Sequence, residues 1–248
     1  MEIYEGIETL DLCLYLKKYK ALIIADLHLG YEESFNKRGI FVPRIQFKEI
    51  LDKLGKILTK KNIDIIIITG DLKHEFGVIH NSEWKNIMQV IDLFLKHCKT
   101  LVIIKGNHDI TLPFITKKKG IEISEYYKLG DIFICHGDKI FDNEDFRKSK
   151  IIIIGHEHPA VGFREKAKYE NFKCFLKGKF LDKVLIVLPS FNPLTIGTDV
   201  LISRLLSPFL QQSLSNFTAY AIEKNKIYYF GKLKNFYRIT NNQMENIN

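Results

Sequence analysis

The sequence predicts one α/β domain in which short buried strands alternate with amphipathic helices and end in polar clusters. Three observations predict it. Apolar runs such as Ala21-Leu22-Ile23-Ile24-Ala25 and Leu101-Val102-Ile103-Ile104 are short and suit strands covered on both faces. Between the early runs, apolar residues fall at helical spacing. Five runs are followed at once, or after a glycine, by Asp, Asn or His, and in layered α/β folds ligands sit beyond the carboxyl ends of strands.

In chain order, Ile7 to Leu16 is expected to form one or two edge strands, and Ala21 to Ala25 a buried strand ending at Asp26. Ile45, Ile50, Leu51, Leu54, Ile57 and Leu58 mark a helix that Pro43 can start. Ile63 to Thr69 is the next strand and runs into Gly70-Asp71. Ser82 can cap a helix with Ile87, Val90, Ile91, Phe94 and Leu95 on its inner face. Leu101 to Lys105, Ile132 to Cys135 and Ile151 to Ile154 are further strands, followed by Asn107 and His108, by His136, and by His156 and His158. Phe172 to Leu176 and Val184 to Leu188 flank a turn expected at Lys177-Gly178-Lys179. Thr218 to Ile222 and Ile227 to Phe230 form a closing hairpin. A length of 248 residues fits one domain, set at 1–240, with 241–248 as a polar tail.

Composition narrows the function classes. The four cysteines are far apart and form no C-x-x-C pair, which argues against a zinc ribbon or disulfide framework and for a reducing cytosol. With no leader and no run of the ~18 apolar residues a spanning helix needs, the expected setting is cytoplasmic, with no membrane partner. The net charge of +8, from 37 basic and 29 acidic residues, favours a polyanionic partner, nucleic acid above all. A lysine-rich composition of genomic or thermophilic origin accounts for the charge equally well. No helix-turn-helix, zinc finger or RNA-recognition signature supports sequence-specific binding.

The strand-end clusters carry the chemistry. Asp26, His28, Asp71, Asn107, His136, His156 and His158 offer imidazole, carboxylate and amide oxygen but no thiolate. That donor set suits manganese, iron(II) or zinc better than copper(I) or an iron–sulfur cluster. Seven donors exceed one metal's need and suit two metals bridged by a carboxylate, the arrangement of two-metal phosphoryl chemistry. Asp26 with His28, and His156 with His158, are two residues apart, so each pair can point one way as its strand runs out. Gly106, before Asn107 and His108, is expected to let the chain turn sharply. A lone D-x-H or H-x-H reads more simply as a hydrogen-bonding pair; five such clusters in this order do not.

The order Asp26-Leu27-His28, Gly70-Asp71, Gly106-Asn107-His108-Asp109, His136, Gly155-His156-Glu157-His158 resembles the calcineurin-like metallophosphoesterases. The resemblance implies a four-layer β-sandwich of two mixed sheets flanked by α-helices. It implies two divalent ions, manganese first, with iron(II), zinc, nickel or cobalt as alternatives. One ion would take Asp26, His28, Asp71 and His158, and the other Asp71, Asn107, His136 and His156. A metal-activated hydroxide would be the nucleophile, and His108 would contact the phosphate and protonate the leaving oxygen. Asp109 is expected to orient the His108 ring.

Residues around these motifs are similar to one branch, the archaeal phosphoesterases and bacterial ligase-associated DNA-repair endonucleases. They include Gly30-Tyr31-Glu32-Glu33, Arg38-Gly39-Ile40, Pro159-Ala160-Val161 with Arg164, and Leu188-Pro189-Ser190-Phe191-Asn192-Pro193. This branch implies a phosphodiesterase or nuclease acting in DNA repair, with a repair helicase or ligase as partner. His74, three residues after Asp71, matches a histidine of several nucleases in the superfamily and is expected at the scissile phosphate, as a catalytic or substrate-binding group beside Asn107, His108 and Arg164. His80 and His97 match no motif. Lys117-Lys118-Lys119, Lys148 with Lys150, and Arg164 with Lys166 and Lys168 would form a phosphate-tracking surface if they face the site. A phosphoesterase for a nucleotide, cyclic nucleotide or phosphomonoester stays open, as does a catalytically silent scaffold on the same fold.

Overall fold

Strand pairing follows the isoleucine-rich runs. The structure, a computed structural model, describes residues 1–37, 39–40, 45–75, 81–121, 123–165, 168–224 and 226–236. Pro43, His80, Lys166 and residues 241–248 lie outside these, as does the side chain of Arg164.

The first sheet opens with β1 (Glu2–Tyr4), β2 (Ile7–Leu10), β3 (Cys13–Leu16) and β4 (Ala21–Ile24), joined antiparallel. It continues in parallel through β5 (Ile65–Ile68), β6 (Thr100–Ile104) and β7 (Ile123–Ser124). Parallel neighbours need long crossovers, and these carry the helices α1 (Tyr31–Lys37), α2 (Gln46–Leu58), α3 (Asn81–Leu95) and α4 (Leu112–Thr116). The second sheet is mixed. Its centre is β8 (Tyr126–Leu129), β9 (Ile132–Cys135), β10 (Ile151–Ile154) and β13 (Lys183–Val187), with β9, β10 and β13 parallel. A helix, α5 (Glu144–Lys148), links β9 to β10. The long β12 (Lys168–Phe180) pairs with β13, with β11 (Pro159–Glu165) and with β15 (Thr218–Glu223); β14 (Thr198–Asp199) and β16 (Lys226–Lys232) lie outside these.

Alternation along each strand builds the layers. Ile23 and Ile67 face the second sheet and pack with Ile134, Ile153 and Ile186. Leu22, Ile24, Ile66 and Ile68 face the other way, against Ile50 and Leu54 of α2 and Val90 and Phe94 of α3. On the far side Phe133, Ile152 and Leu185 pack with Phe146 and Phe209. The result is helices, sheet, sheet and an outer layer containing α5, the four-layer arrangement expected. Burying one such side chain contributes roughly 1.5–3 kcal/mol, so the isoleucine runs fix the strand faces.

Local expectations fared unevenly. Leu95 is exposed, one helical step past the buried Phe94. Ser82 lies inside α3, which starts at Asn81. Lys177-Gly178-Lys179 is no turn: it sits within β12, and the chain reverses at Leu181, at φ 54. Gly178 is there for closeness, since a Cβ would meet the Phe217 ring at 2.4 Å.

Candidate metal centre

The carboxyl ends of β4, β5, β6, β9 and β10 meet at one edge of the two sheets. Backbone bonds cross there: Asp26 N–H to the Gly70 carbonyl (3.3 Å), Gly155 N–H to His136 (2.9 Å) and Phe191 N–H to Ala25 (2.9 Å). The His136 Nδ1–H donates to the Thr69 carbonyl (2.8 Å), pinning a second-sheet side chain to the first sheet.

The loops are bent hard. Asp26, His28, Asp71, His156 and His158 all have φ between 44 and 67, a left-handed conformation that L residues rarely adopt. Each such residue costs on the order of 1–3 kcal/mol and persists only where its surroundings fix it. The bends turn the side chains back over the strand ends. The chain turns at Gly106 as expected, the Asp109 N–H donating to the Gly106 carbonyl (3.1 Å), but without a positive φ. The glycine's role is close approach: a Cβ would lie 2.1 Å from Asp71 Oδ1.

The seven predicted donors come together in two groups. In the first, His158 Nε2 lies 3.2 Å from His28 Nε2 and 3.5 Å from Asp26 Oδ1. In the second, His136 Nε2 lies 2.9 Å from Asn107 Oδ1 and 3.1 Å from His156 Nδ1. Asp71 stands between them, its Oδ2 3.6 Å from His28 Nε2 and 3.5 Å from His136 Nε2. The ligand atoms of Asp26, His28 and His158, and those of Asp71, His136 and His156, lie within 4.8 Å of one another.

The donor chemistry fits a pair of divalent ions. His136 spends its Nδ1 proton on Thr69, which turns its Nε2 toward the Asn107 oxygen, the Asp71 carboxylate and His156. Converging acceptors repel unless a cation lies among them. Asp26 Oδ1 is buried and finds no hydrogen-bond donor among the described residues. The protonation balance shows the same strain. Burial pushes Asp71 up to about 8, with Asp26 and Asp109 adding to the rise and His136 opposing it. For Asp26 burial acts upward too, but His158, His136 and His28 outweigh it and hold the carboxyl low. Burial pulls His156 down to about 4, and His28 well down. His136 stays above the usual histidine value: burial pulls it down, but Asp71, Asp26 and the Thr69 carbonyl more than compensate. These residues would hold the two ions, with Asp71 shared.

His108 lies beside the donors without joining either group. Its Nδ1–H donates to the His74 carbonyl (2.5 Å), which leaves Nε2 facing the centre, 3.9 Å from Asp71 Oδ2. Its backbone N–H donates to Asp71 Oδ1 (2.9 Å). Asp109 was expected to orient this ring and does not. Its buried carboxylate accepts the backbone N–H groups of Gly106 (3.0 Å), Lys73 (3.3 Å) and Leu72 (3.4 Å), tying two site loops together. His74 stacks on His108 with centroids 5.3 Å apart, its Nδ1 3.5 Å from His28 Nδ1. Tyr31 packs edge-on against His74, with centroids 4.4 Å apart. His97 is remote and bonds the Leu93 carbonyl.

Sequence reasoning missed the braces behind the donors. Glu157, between two donors, turns away from them; its Oε2 accepts the N–H groups of Leu206 and Ser207, both at 2.8 Å. Ser190 Oγ–H donates to the Asp26 carbonyl (2.8 Å), and half-buried Lys173 donates to the carbonyls of Ser190 (2.9 Å) and Asn192. Gln46 Nε2 donates to the His28 carbonyl (2.9 Å). The basic clusters divide. Lys148 and Lys150 lead into the amino end of β10, the edge opposite His156, so they cannot track a strand bound at the centre. Lys119 pairs with Asp92 (2.7 Å) and Lys118 lies over the Trp84 ring (4.6 Å).

A model of the calcineurin-like phosphoesterase family matches residues 19–187. Among solved structures, the chain is similar to a nuclease, MPE, from Pseudomonas putida, at 20% identity and a TM-score of 0.65, covering 93% of this chain and 98% of that one. Vacuolar protein sorting 29 from Cryptosporidium parvum matches at 16% identity and a TM-score of 0.38, over 86% and 97% of the two chains. Vps29 from Chaetomium thermophilum matches at 14% identity and a TM-score of 0.37, over 82% and 81%.

Proposed function

Because the chain belongs to the calcineurin-like phosphoesterase family, we propose that it is a two-metal phosphodiesterase that cuts nucleic-acid strands, with DNA repair as its setting. The observation that carries the chemistry is Asp71, shared between two donor groups and backed by His108. The choice of nucleic acid draws support from the net charge of +8 and from the fold's likeness to a protein described as a nuclease.

Bound at the two groups, divalent ions, manganese by donor type, supply Lewis acidity that lowers the pKa of water and neutralises charge on phosphoryl oxygens. The residues supply the rest. Asp71 is held by the His108 backbone N–H, His136 by the Thr69 carbonyl and the His28 backbone by the Gln46 amide, all bonds made before substrate arrives. Water, its proton released to solvent, attacks phosphorus, the bond to the leaving strand breaks, and the departing oxygen takes the proton that His108 carries on Nε2, which solvent then restores. His74 prepares that transfer through its carbonyl: with Nδ1 fixed as a donor, Nε2 is the atom that exchanges the proton. The products are one strand ending in a phosphomonoester and one ending in a hydroxyl.

Activity with manganese on bis-p-nitrophenyl phosphate, p-nitrophenyl phosphate and single- and double-stranded DNA tests the proposal. Diester and DNA cleavage with salt-sensitive DNA binding is expected. Hydrolysis of the monoester alone, without such binding, overturns the nuclease reading and favours a small phosphomonoester. A scaffold predicts neither activity nor bound metal.

A further inference from the structure

The segment that leaves the centre through His108 carries a surface stripe of unusual composition. Asp109, Leu112, Ile115 and Thr116 are buried, and Leu112 and Ile115 belong to the core under the first sheet. The opposite stripe, at positions 110, 113, 114 and 117, is Ile, Pro, Phe and Lys, the spacing of one helical face. Ile110 is 58% exposed and Phe114 72% exposed. A surface helix normally turns polar residues outward; here the outward face is apolar and aromatic and ends in a cation.

The stripe is fixed in place. Leu112 N–H donates to the Asp109 carbonyl (3.0 Å) and Phe114 N–H to the Thr111 carbonyl (3.2 Å), so the chain coils directly from the site into α4. At helical rise, six residues from His108 to Phe114 span roughly 9–12 Å, about the reach of a nucleotide next to a bound phosphate. Lys117 closes the stripe. Like Lys118 and Lys119 it is exposed, but among the described residues it has neither the ion pair of Lys119 nor the ring contact of Lys118, so its charge is available to a phosphate. A nucleic-acid strand offers the complementary features: a flat apolar base and an anion one nucleotide along. A paired base keeps its faces inside the duplex; an unpaired base presents one.

We propose that Phe114, with Ile110 beside it and Lys117 beyond, is a stacking platform for an unpaired nucleobase on the leaving side of the scissile phosphate. This rests on the nucleic-acid reading above. His108 gives its proton to the leaving oxygen, and the stripe continues from His108, so the platform belongs to the strand that departs.

The experiment uses the full chain with manganese and two substrates of equal length, an oligothymidylate and a matched strand of abasic residues. Stacking on an aromatic side chain is worth ~1–3 kcal/mol per base, so Phe114→Ala should raise KM for the oligothymidylate about 5- to 150-fold. The penalty should vanish on the abasic strand. Phe114→Trp should restore the oligothymidylate KM, and its fluorescence should be quenched as that strand binds. Manganese binding by Phe114→Ala, followed by calorimetry, shows that the centre is intact. An unchanged KM on oligothymidylate, or an equal loss on both strands, overturns the platform while leaving the phosphodiesterase standing. No cleavage of either strand by the unaltered protein overturns the nucleic-acid reading, and the platform with it.

Discussion

Glu157 gives the sharpest test of how the donor loops are held. Its Oε2 accepts the Leu206 and Ser207 N–H groups at 2.8 Å each, and the residue is almost fully buried. Hydrogen bonds to a charged group contribute ~1.5–3 kcal/mol each, and a buried donor left unsatisfied costs its desolvation. The Ser207 N–H is buried and would lose its partner outright; the Leu206 N–H is partly exposed and can turn to water. Glu157→Ala should therefore cost about 2–4 kcal/mol. For a chain of this size, that lowers the melting temperature by about 4–16 °C. The clamp also holds His156 and His158 in left-handed conformations, at φ 67 and 52. Once it is released, the loop can relax away from the donor geometry, so manganese affinity should fall as well. Glu157→Gln keeps an accepting oxygen and should lose less than half as much of both. Thermal melting and calorimetric manganese titration of the three proteins decide it. If Glu157→Ala melts with the wild type and binds manganese unchanged, the clamp is not what shapes the loop.

Three further outcomes follow from particular contacts. His108→Ala should keep its metals and lose turnover on the order of 10²–10⁴-fold; unchanged turnover on bis-p-nitrophenyl phosphate would remove His108 from the mechanism. Gly106→Ala puts a Cβ 2.1 Å from Asp71 Oδ1 and 2.3 Å from the Asp71 backbone nitrogen. It should cost about 1–3 kcal/mol in urea unfolding and weaken manganese binding; a variant as stable as the wild type would show that the loops yield freely. Burial, reinforced by the Lys53 charge, holds Lys173 down to about 7. That lies below the unfolded value of about 10.4, so the unfolded chain binds the extra proton between the two values. Stability relative to Lys173→Met should thus rise from about pH 7 toward about pH 10, and a flat difference in urea unfolding across that range would contradict it.

Much of the fold is legible because its signals are local. Ile65 to Ile68 and Ile151 to Ile154 can satisfy both faces only as covered strands, and their alternation then sets the layers. The donors are legible for a similar reason: imidazole, carboxylate and amide groups at the ends of buried strands have few other uses. What escaped reading depends on partners distant in sequence. Glu157 bonds backbone groups 49 and 50 residues away, and Lys173 reaches carbonyls 17 and 19 residues on. Gly178 looked like a turn because the Phe217 ring it accommodates is invisible locally. Asp109 looked like the orienter of its neighbour, but burial beside the amides of Gly106, Leu72 and Lys73 gives the carboxylate nearer donors, and the His74 carbonyl takes the ring proton. Lys117 to Lys119 read as one cationic cluster until Asp92 and Trp84 claimed two of the three.

The central claim is a pair of metals sharing Asp71, and manganese stoichiometry measures it most directly. Calorimetric titration of the metal-stripped wild-type chain should show two manganese ions per chain. Asp71→Asn, which removes the shared carboxylate charge, should bind no more than one and bind it weakly. A wild-type chain that saturates with one ion or none, or an Asp71→Asn variant that takes up two with undiminished affinity, would contradict the account.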